Sequence, residues 1–291
     1  MKRVILLIFL ILLFCPCFGA VTLFVAHSDD EIIGATSVLS HNDNITIIVF
    51  TDGAPSEYGL GENESLIRAG EEERALNLLN KTVSVVNYGF DDLSFYDDLG
   101  VFGIFNMIMN VSDYISNNCP TNLYVHAYEA GHVDHDTVNF IVANAYRLSN
   151  CSSPLYEFVE YNYQGFGMPL PHYYFNRVNL TLEEVLLKRE MLSKFVSQDV
   201  KGNCTIADYD SLSVKCRDSI LYTYYFQDEY FKPISDYNYF LSPCINYSCK
   251  LEYPNFYETL LLTKFLVDVY VIRFVLITII LLCIVLYKFR K

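Results

Sequence analysis

From residue 21 onward, short β-branched apolar runs alternate with longer stretches of helical period, and this alternation limits the possible folds more than any other feature. The runs VTLFVA (21–26), ITIIVFT (45–51), TVSVVN (82–87) and NLYVH (122–126) read as strands, with LYEFVEY (155–161) as a fifth. Helical stretches lie near 31–40, 64–79, 101–117 and 134–148. Strand, helix, strand in succession requires a parallel sheet covered on both faces, because right-handed crossovers place the helices there. The expectation is an α/β fold: a Rossmann-like, doubly wound, mostly parallel sheet of order 3-2-1-4-5. Its first and fourth strands are then neighbours, and ligands bind in the crevice at their C-terminal ends. A further helix, TLEEVLLKREMLSKF (181–195), opens on a cap at Asn179 or Thr181 followed by Glu183 and Glu184.

Two charged clusters occupy equivalent places in this pattern. VAHSDDEIIG (25–34) joins the first strand to the first helix, and HAYEAGHVDHD (126–136) follows the fourth strand. Three successive acids, Asp29, Asp30 and Glu31, repel one another unless something positive sits among them. A lone aspartate there would simply cap the helix, with the helix N-terminus offsetting part of its charge. His27 and Asp30 are three apart, as are His132 and His135, so each pair shares a face of a first helical turn. Two imidazoles and a carboxylate suit a catalytic zinc that keeps one position for water. The ligands expected from spacing are His27, Asp30 and His135. Asp29 then falls beside the metal, able to take a proton from water whose pKa the ion lowers to roughly 7. His132 falls opposite, able to stabilise an oxyanion or protonate a leaving nitrogen. Spacing alone leaves open which acid is base and which is ligand, and other divalent ions suit the same donors.

The ends of the chain point to a compartment. Lys2-Arg3, the apolar run VILLIFLILLF (4–14) and CPCFGA read as a signal peptide or an uncleaved signal anchor over 1–20. VYVIRFVLITIILLCIVLY (269–287) reads as a transmembrane helix, with Arg273 near its outer end and the basic KFRK beyond it. Asn-X-Ser/Thr acceptors occur eight times, at Asn44, Asn63, Asn80, Asn110, Asn150, Asn179, Asn203 and Asn246. With 21 Asn and 33 Ser plus Thr in 291 residues, chance supplies about 2 or 3 such acceptors. Outside the signal and the span, six cysteines remain: Cys119, Cys151, Cys204, Cys216, Cys244 and Cys249. An even set suits a disulfide framework, with Cys204–Cys216 and Cys244–Cys249 as natural local pairs. The whole chain carries −14; residues outside 21–266 hold six basic side chains and one acid, which leaves −19 on the part between. That charge argues against nucleic acid as a partner, since phosphate contacts need Lys and Arg.

The clusters also carry a family resemblance. AHSDDE is similar to the Ala-His-Pro-Asp-Asp-Glu signature of the PIG-L/LmbE-type de-N-acetylases, and GHVDHD to their Gly-His-Pro-Asp-His element. TDG (51–53), RAGEEERALNLLN (68–80) and KREMLSKFVSQ (188–198) extend the likeness over 21–198; the second resembles the family's Arg-X-X-Glu-X-X-X-Ala-X-X-X-Leu-Gly run. The resemblance implies zinc on His27, Asp30 and His135, a base at Asp29 and a second active-site histidine at His132. It further implies that Asp134 orients or tunes His132, and that Arg68 holds a substrate phosphate or hydroxyl. Arg68 could equally form a helix-surface ion pair with Glu71 or Glu72. Ser28 and Val133 stand where the family usually has proline. Proline stiffens a turn, but its loss removes no metal-binding atom.

The expected organisation is a signal or anchor (1–20), a PIG-L/LmbE-like catalytic domain (21–198), a disulfide-tied Tyr/Cys-rich extension (199–264), a transmembrane helix (269–287) and a cytoplasmic tail (288–291). The expected activity is zinc-dependent removal of N-acetyl from a GlcNAc-type sugar of a glycoconjugate, on the lumenal or extracellular side of the endoplasmic reticulum or cell surface. Two alternatives stand beside it. One is the deacetylation of N-acetylglucosaminyl-phosphatidylinositol in GPI-anchor synthesis, with the opposite topology. The other is a catalytically silent, sugar-binding membrane protein on the same fold. The aromatic stretch YNYQGFGMPLPHYYFN (161–176) could stack on a sugar or simply pack, and His172 within it reads as structural.

Overall fold

The computed structural model describes residues 20–54, 62–128, 132–160, 176–198, 228–234 and 256–289. The elements in chain order are β1 (Ala20–Val25), α1 (Asp30–His41), β2 (Asn44–Thr51), α2 (Glu62–Leu76), β3 (Thr82–Phe90), α3 (Phe95–Asn118), β4 (Asn122–His126), α4 (Val133–Leu148), β5 (Leu155–Phe158), β6 (Asn176–Val178), α5 (Leu182–Leu192), β7 (Glu229–Pro233) and α6 (Phe256–Phe289). The sheet order is β3-β2-β1-β4-β5-β7-β6. Its first five strands are parallel and follow the expected 3-2-1-4-5, while β7 pairs antiparallel with both β5 and β6.

Strand alternation sorts the core into two layers. Phe24, Ala26, Ile48 and Phe50 face α3 and α4, packing on Ile104, Ile108, Val138 and Ile141. Val21, Leu23, Val25, Ile45, Ile47 and Val49 face the other way, onto Ile32 and Leu39 of α1, Leu76 of α2 and Leu192 of α5. Buried on both faces, β1 and β2 read as nearly continuous apolar runs. Gly34 lets α1 lie close over β5, since a side chain there would collide with the Phe158 ring. Thr181 caps α5 in a full capping box, its Oγ1 accepting from Glu184 N–H at 3.2 Å while Thr181 N–H donates to the Glu184 carboxylate at 2.8 Å.

Several features differ from the expectation. α3 begins at Phe95 rather than near 101, and Gly100, at φ 54°, breaks it internally. A glycine adopts that left-handed conformation without strain, so the acidic first turn around Asp97 and Asp98 forms before the break. β7 comes from the aperiodic stretch 199–264 yet joins the sheet. α6 starts at Phe256 and packs its first turns on α3, with Leu260, Thr263 and Val267 buried and Thr263 Oγ1 donating to Val101 O at 3.3 Å.

Among the described residues no helix is long and apolar enough to cross a membrane. Side chains of α6 are described only as far as Ile280, so 281–287 of the expected span lie outside the description. Ile272, Phe274, Val275, Leu276, Ile277, Ile279 and Ile280 are all exposed. The expected signal segment up to residue 19, His172, Cys204–Cys216 and Cys244–Cys249 also lie outside the described residues.

Cys119 and Cys151 form a disulfide with their Cα atoms 5.3 Å apart, tying the end of α3 to the approach to β5 across 32 residues. Closing a loop of that length stabilises the fold by about 4 kcal/mol through the unfolded chain's lost entropy. Cys119→Ser with Cys151→Ser should therefore lower the unfolding free energy by about that amount in chemical denaturation. A change within error would mean that the bond does not form.

Candidate active site

The two clusters meet. β1 and β4 are neighbours, so α1 and α4 start side by side at the C-terminal edge of the sheet. Asp29 is the residue before α1; its backbone carbonyl accepts from Ile32 and Ile33 N–H at 2.9 Å, but its side chain makes no capping bond. It sits at φ 153°, ψ −22°, a conformation that must be held by its surroundings. His132 caps α4, its Nδ1 accepting from Asp134 N–H at 3.3 Å.

His27, Asp30 and His135 are buried together. His27 Nδ1 lies 3.2 Å from Asp30 Oδ2, His135 Nε2 lies 3.3 Å from His27 Nδ1, and His135 Nε2 lies 3.5 Å from Asp30 Oδ1. Zinc–ligand bonds near 2.1 Å in tetrahedral geometry put donor atoms roughly 3.3 Å apart. Each of these distances is of that order, but Asp30 faces His27 with Oδ2 and His135 with Oδ1, so the three side chains surround one space by way of both carboxylate oxygens. Burial alone lowers the His27 pKa, but the Asp92 and Asp30 carboxylates beside it raise it well above the ordinary value. Burial raises that of Asp30, whereas His135, His27 and His126 bring it well below the usual carboxylate range. The pocket is built around positive charge, which a dication would supply.

The other sequence-predicted residues surround this triangle. Arg68 is buried rather than on a helix surface; its Nη1 donates to Gly53 O at 2.6 Å and its Nη2 lies 3.6 Å from Asp29 Oδ1. Gly53, at φ 66°, leaves room that a side chain would take from the guanidinium. Burial pushes Asp29 up to about 7 against the opposing pull of Arg68. Burial, and then the His27 charge, pushes His132 down to about 3, so its ring is neutral. Asp134 accepts from Leu93 N–H at 2.7 Å and lies 3.4 Å from His27 Nε2, nearer than its 3.9 Å to His132 Nδ1.

Residues 22–146 match the family model PIG-L, described as GlcNAc-PI de-N-acetylase. They form a PIG-L family domain. No curated protein matches the sequence. Among solved structures, the fold resembles the zinc-inhibited form of teicoplanin deacetylase Orf2, with TM-score 0.54 and 15% identity over 75% of this chain and 99% of that one. It also resembles the A40926 pseudoaglycone deacetylase Dbv21, with TM-score 0.52 and 16% identity over 74% of this chain and 97% of that one. At such identities the likeness is one of fold.

Three groups in the PIG-L site escape the sequence reading. Asp92 Oδ1 lies 3.0 Å from His27 Nε2, on the ring edge away from the triangle, where a carboxylate orients a metal-binding imidazole. His126 is fully buried, 3.0 Å from Asp30 Oδ2, and stacks on His135 with ring centroids 3.9 Å apart. Its Nε2 accepts from Ala26 N–H at 3.0 Å. Glu160 lies 3.4 Å behind it. Among the described residues, the sets whose donor atoms lie close enough together to hold an ion are His27, His132 and His135; His27, Asp92, His132 and Asp134; and Asp30, His126 and His135. His126 ends β4 within the quoted cluster, so its place in the parallel sheet was a usable signal; Asp92, after the edge strand β3, offered none.

Burial also pushes the Glu72 and Asp134 carboxyls up to about 7. With Asp29, three acids in the metal-free PIG-L domain keep protons that the unfolded chain releases near pH 4. Their folded pKa values exceed the unfolded ones, so the contribution of each acid to stability falls as pH rises between about pH 4 and about pH 7. Burial lowers the pKa values of His126, His132 and His135 and acts in the opposite sense. Urea unfolding of the chelated wild type and of Glu72→Gln across that range isolates one acid: the variant, which has no carboxyl to titrate there, should gain stability relative to wild type as pH rises. A variant that gains nothing on wild type towards pH 7 would contradict the burial effect on Glu72.

Proposed function

We propose that the chain is a metal-dependent amide hydrolase that removes N-acetyl from a GlcNAc-type sugar of a glycoconjugate, with zinc as the metal. The observation that carries this reading is the donor triangle of His27, Asp30 and His135 beside Asp29, in the crevice of a PIG-L domain. Those three residues would hold the ion, which when bound supplies Lewis acidity and lowers the pKa of water. Asp29 is the base: its carboxylate stands beside the donor triangle and caps no helix N–H, so it can accept a proton from water and pass it to the leaving nitrogen. Arg68 steers that carboxylate, and its Nε is buried without a partner among the described residues. Because His132 Nδ1 accepts a backbone N–H, the neutral ring carries its proton on Nε2. That favours hydrogen bonding to the developing oxyanion over donating a proton to nitrogen. Asp134 anchors the loop at Leu93 and lies behind His27 and His132.

The test is primary-amine release from a panel of N-acetylated glycoconjugates by the full chain loaded with zinc. Release from at least one sugar is expected. Sugar binding without release would favour the silent, sugar-binding reading.

The proposed setting is the secretory pathway, with residues 269–287, which extend past the described side chains, as a single membrane span, the active site lumenal or extracellular and the C-terminus cytoplasmic. The exposed apolar side chains from Ile272 to Ile280 and the Cys119–Cys151 disulfide support it. So do the acceptor asparagines: Asn44, Asn63, Asn80, Asn110, Asn150 and Asn179, the six that are described, are all exposed. Treatment with peptide N-glycosidase should increase the gel mobility of the cell-expressed protein. An unchanged band would favour the phosphatidylinositol-linked substrate and the opposite topology.

A further inference from the structure

We propose that Ser28 and Glu72 work as a pair that sets the turn carrying His27, Asp29 and Asp30, at the position where the family's signature has proline. The role assigned to the pair rests on the reading of that turn as the metal- and proton-handling turn of a hydrolase. The two side chains are 44 residues apart and almost wholly buried, at 2% and 3% exposure. Ser28 Oγ donates to Glu72 Oε2 at 2.8 Å.

The geometry explains why this bond belongs to the site. Arg68 and Glu72 are one helical turn apart on α2 and share a face. Arg68 reaches Asp29, and Glu72 reaches Ser28. One helix therefore grips two consecutive residues of the turn, and the second of them holds a backbone conformation that L residues rarely adopt. Proline would limit the turn by locking its own φ; serine leaves φ free and needs an outside restraint. The family pattern specifies Arg68, Glu71 and Ala75 in α2 and leaves position 72 open, so the resemblance gives Glu72 no task. Its neighbour Glu71 points elsewhere, accepting from Ser197 N–H at 2.8 Å and Ser197 Oγ at 2.6 Å. Glu72 Oε1 has no partner among the described residues, and Ser28 is the partner of Oε2. A buried carboxyl with one bond is costly unless that bond matters. Glu72 is a positioning residue, acting through Ser28.

The experiment compares wild type, Glu72→Leu, Glu72→Gln, Ser28→Ala and the double variant Ser28→Pro/Glu72→Leu, each as the full chain. Hydrogen–deuterium exchange of the segment 26–32 in the metal-free protein reads the turn directly, and chelator competition reads zinc affinity. Glu72→Leu and Ser28→Ala should speed exchange there and weaken zinc binding by about 10–100-fold, the range for groups that orient a ligand. Glu72→Gln keeps an acceptor for Ser28 and should stay near wild type. Ser28→Pro/Glu72→Leu should recover most of the loss, an outcome that a general packing defect would not give. Unchanged exchange in Glu72→Leu, or no recovery in the double variant, overturns the proposal. Exchange is measured without substrate, so a wild type that releases no amine sinks the proposed reaction and leaves the answer about the turn standing.

Discussion

Asp29→Asn should lower amine release by about 10²–10⁴-fold, the span of a lost general base, while zinc stays bound. The argument is geometric before it is chemical. Asp29 stands beside the donor triangle without closing it; its side chain caps nothing, and its described ionic neighbour is Arg68. Asparagine keeps the shape and tolerates the positive φ, so the fold should survive. Burial disfavours the charge that the substitution removes, so the metal-free variant should be at least as stable as the parent. Steady-state kinetics with metal analysis of the same sample decide the matter. Undiminished turnover would remove Asp29 from the mechanism, and loss of zinc would make it a ligand.

His135→Ala should have a different signature, in which metal and activity disappear together. Removing one corner of the triangle leaves His27 and Asp30 as a two-point site. Zinc affinity should fall by more than about 100-fold, beyond the upper end for a supporting residue. His126→Ala, which removes a neighbour of Asp30 while leaving the triangle whole, should fall within about 10–100-fold. Competition against a chromophoric chelator separates the two. If His126→Ala proves the more damaging, the ion sits instead on Asp30, His126 and His135, one of the donor sets within reach among the described residues.

What could be read from residues alone follows a physical divide. The order of the five parallel strands was legible because β1 and β2 are long, β-branched and buried on both sides, and because the helices between them keep a clear period. From that order alone, the approach of His27 and Asp30 to His132 and His135 follows. Features that depend on contacts between distant segments were not legible. β6 has three residues, and β7 is short and lies in an aperiodic, tyrosine-rich stretch; their pairing shows only once β5 presents an edge. Asp92 reaches His27 from a strand two places away in the sheet, so no spacing along the chain announces it. Arg68 is the instructive intermediate. The pattern marked it for function, but a helical position beside glutamates equally suggested a solvent-facing pair, and only packing shows that it turns inward.

The way α6 begins has a practical consequence for anyone shortening this protein. Leu260, Thr263 and Val267 lie against α3, and the Tyr270 ring meets Phe105 edge-on at 6.0 Å. A cut at residue 266, just ahead of the greasy tail, would therefore pass through a glued joint instead of a loose strap. The stump would lose Val267 and the Tyr270 ring, uncover Phe105 and invite clumping. A well-behaved secreted version should keep the chain through Tyr270, with polar replacements on the outward side of that last stretch.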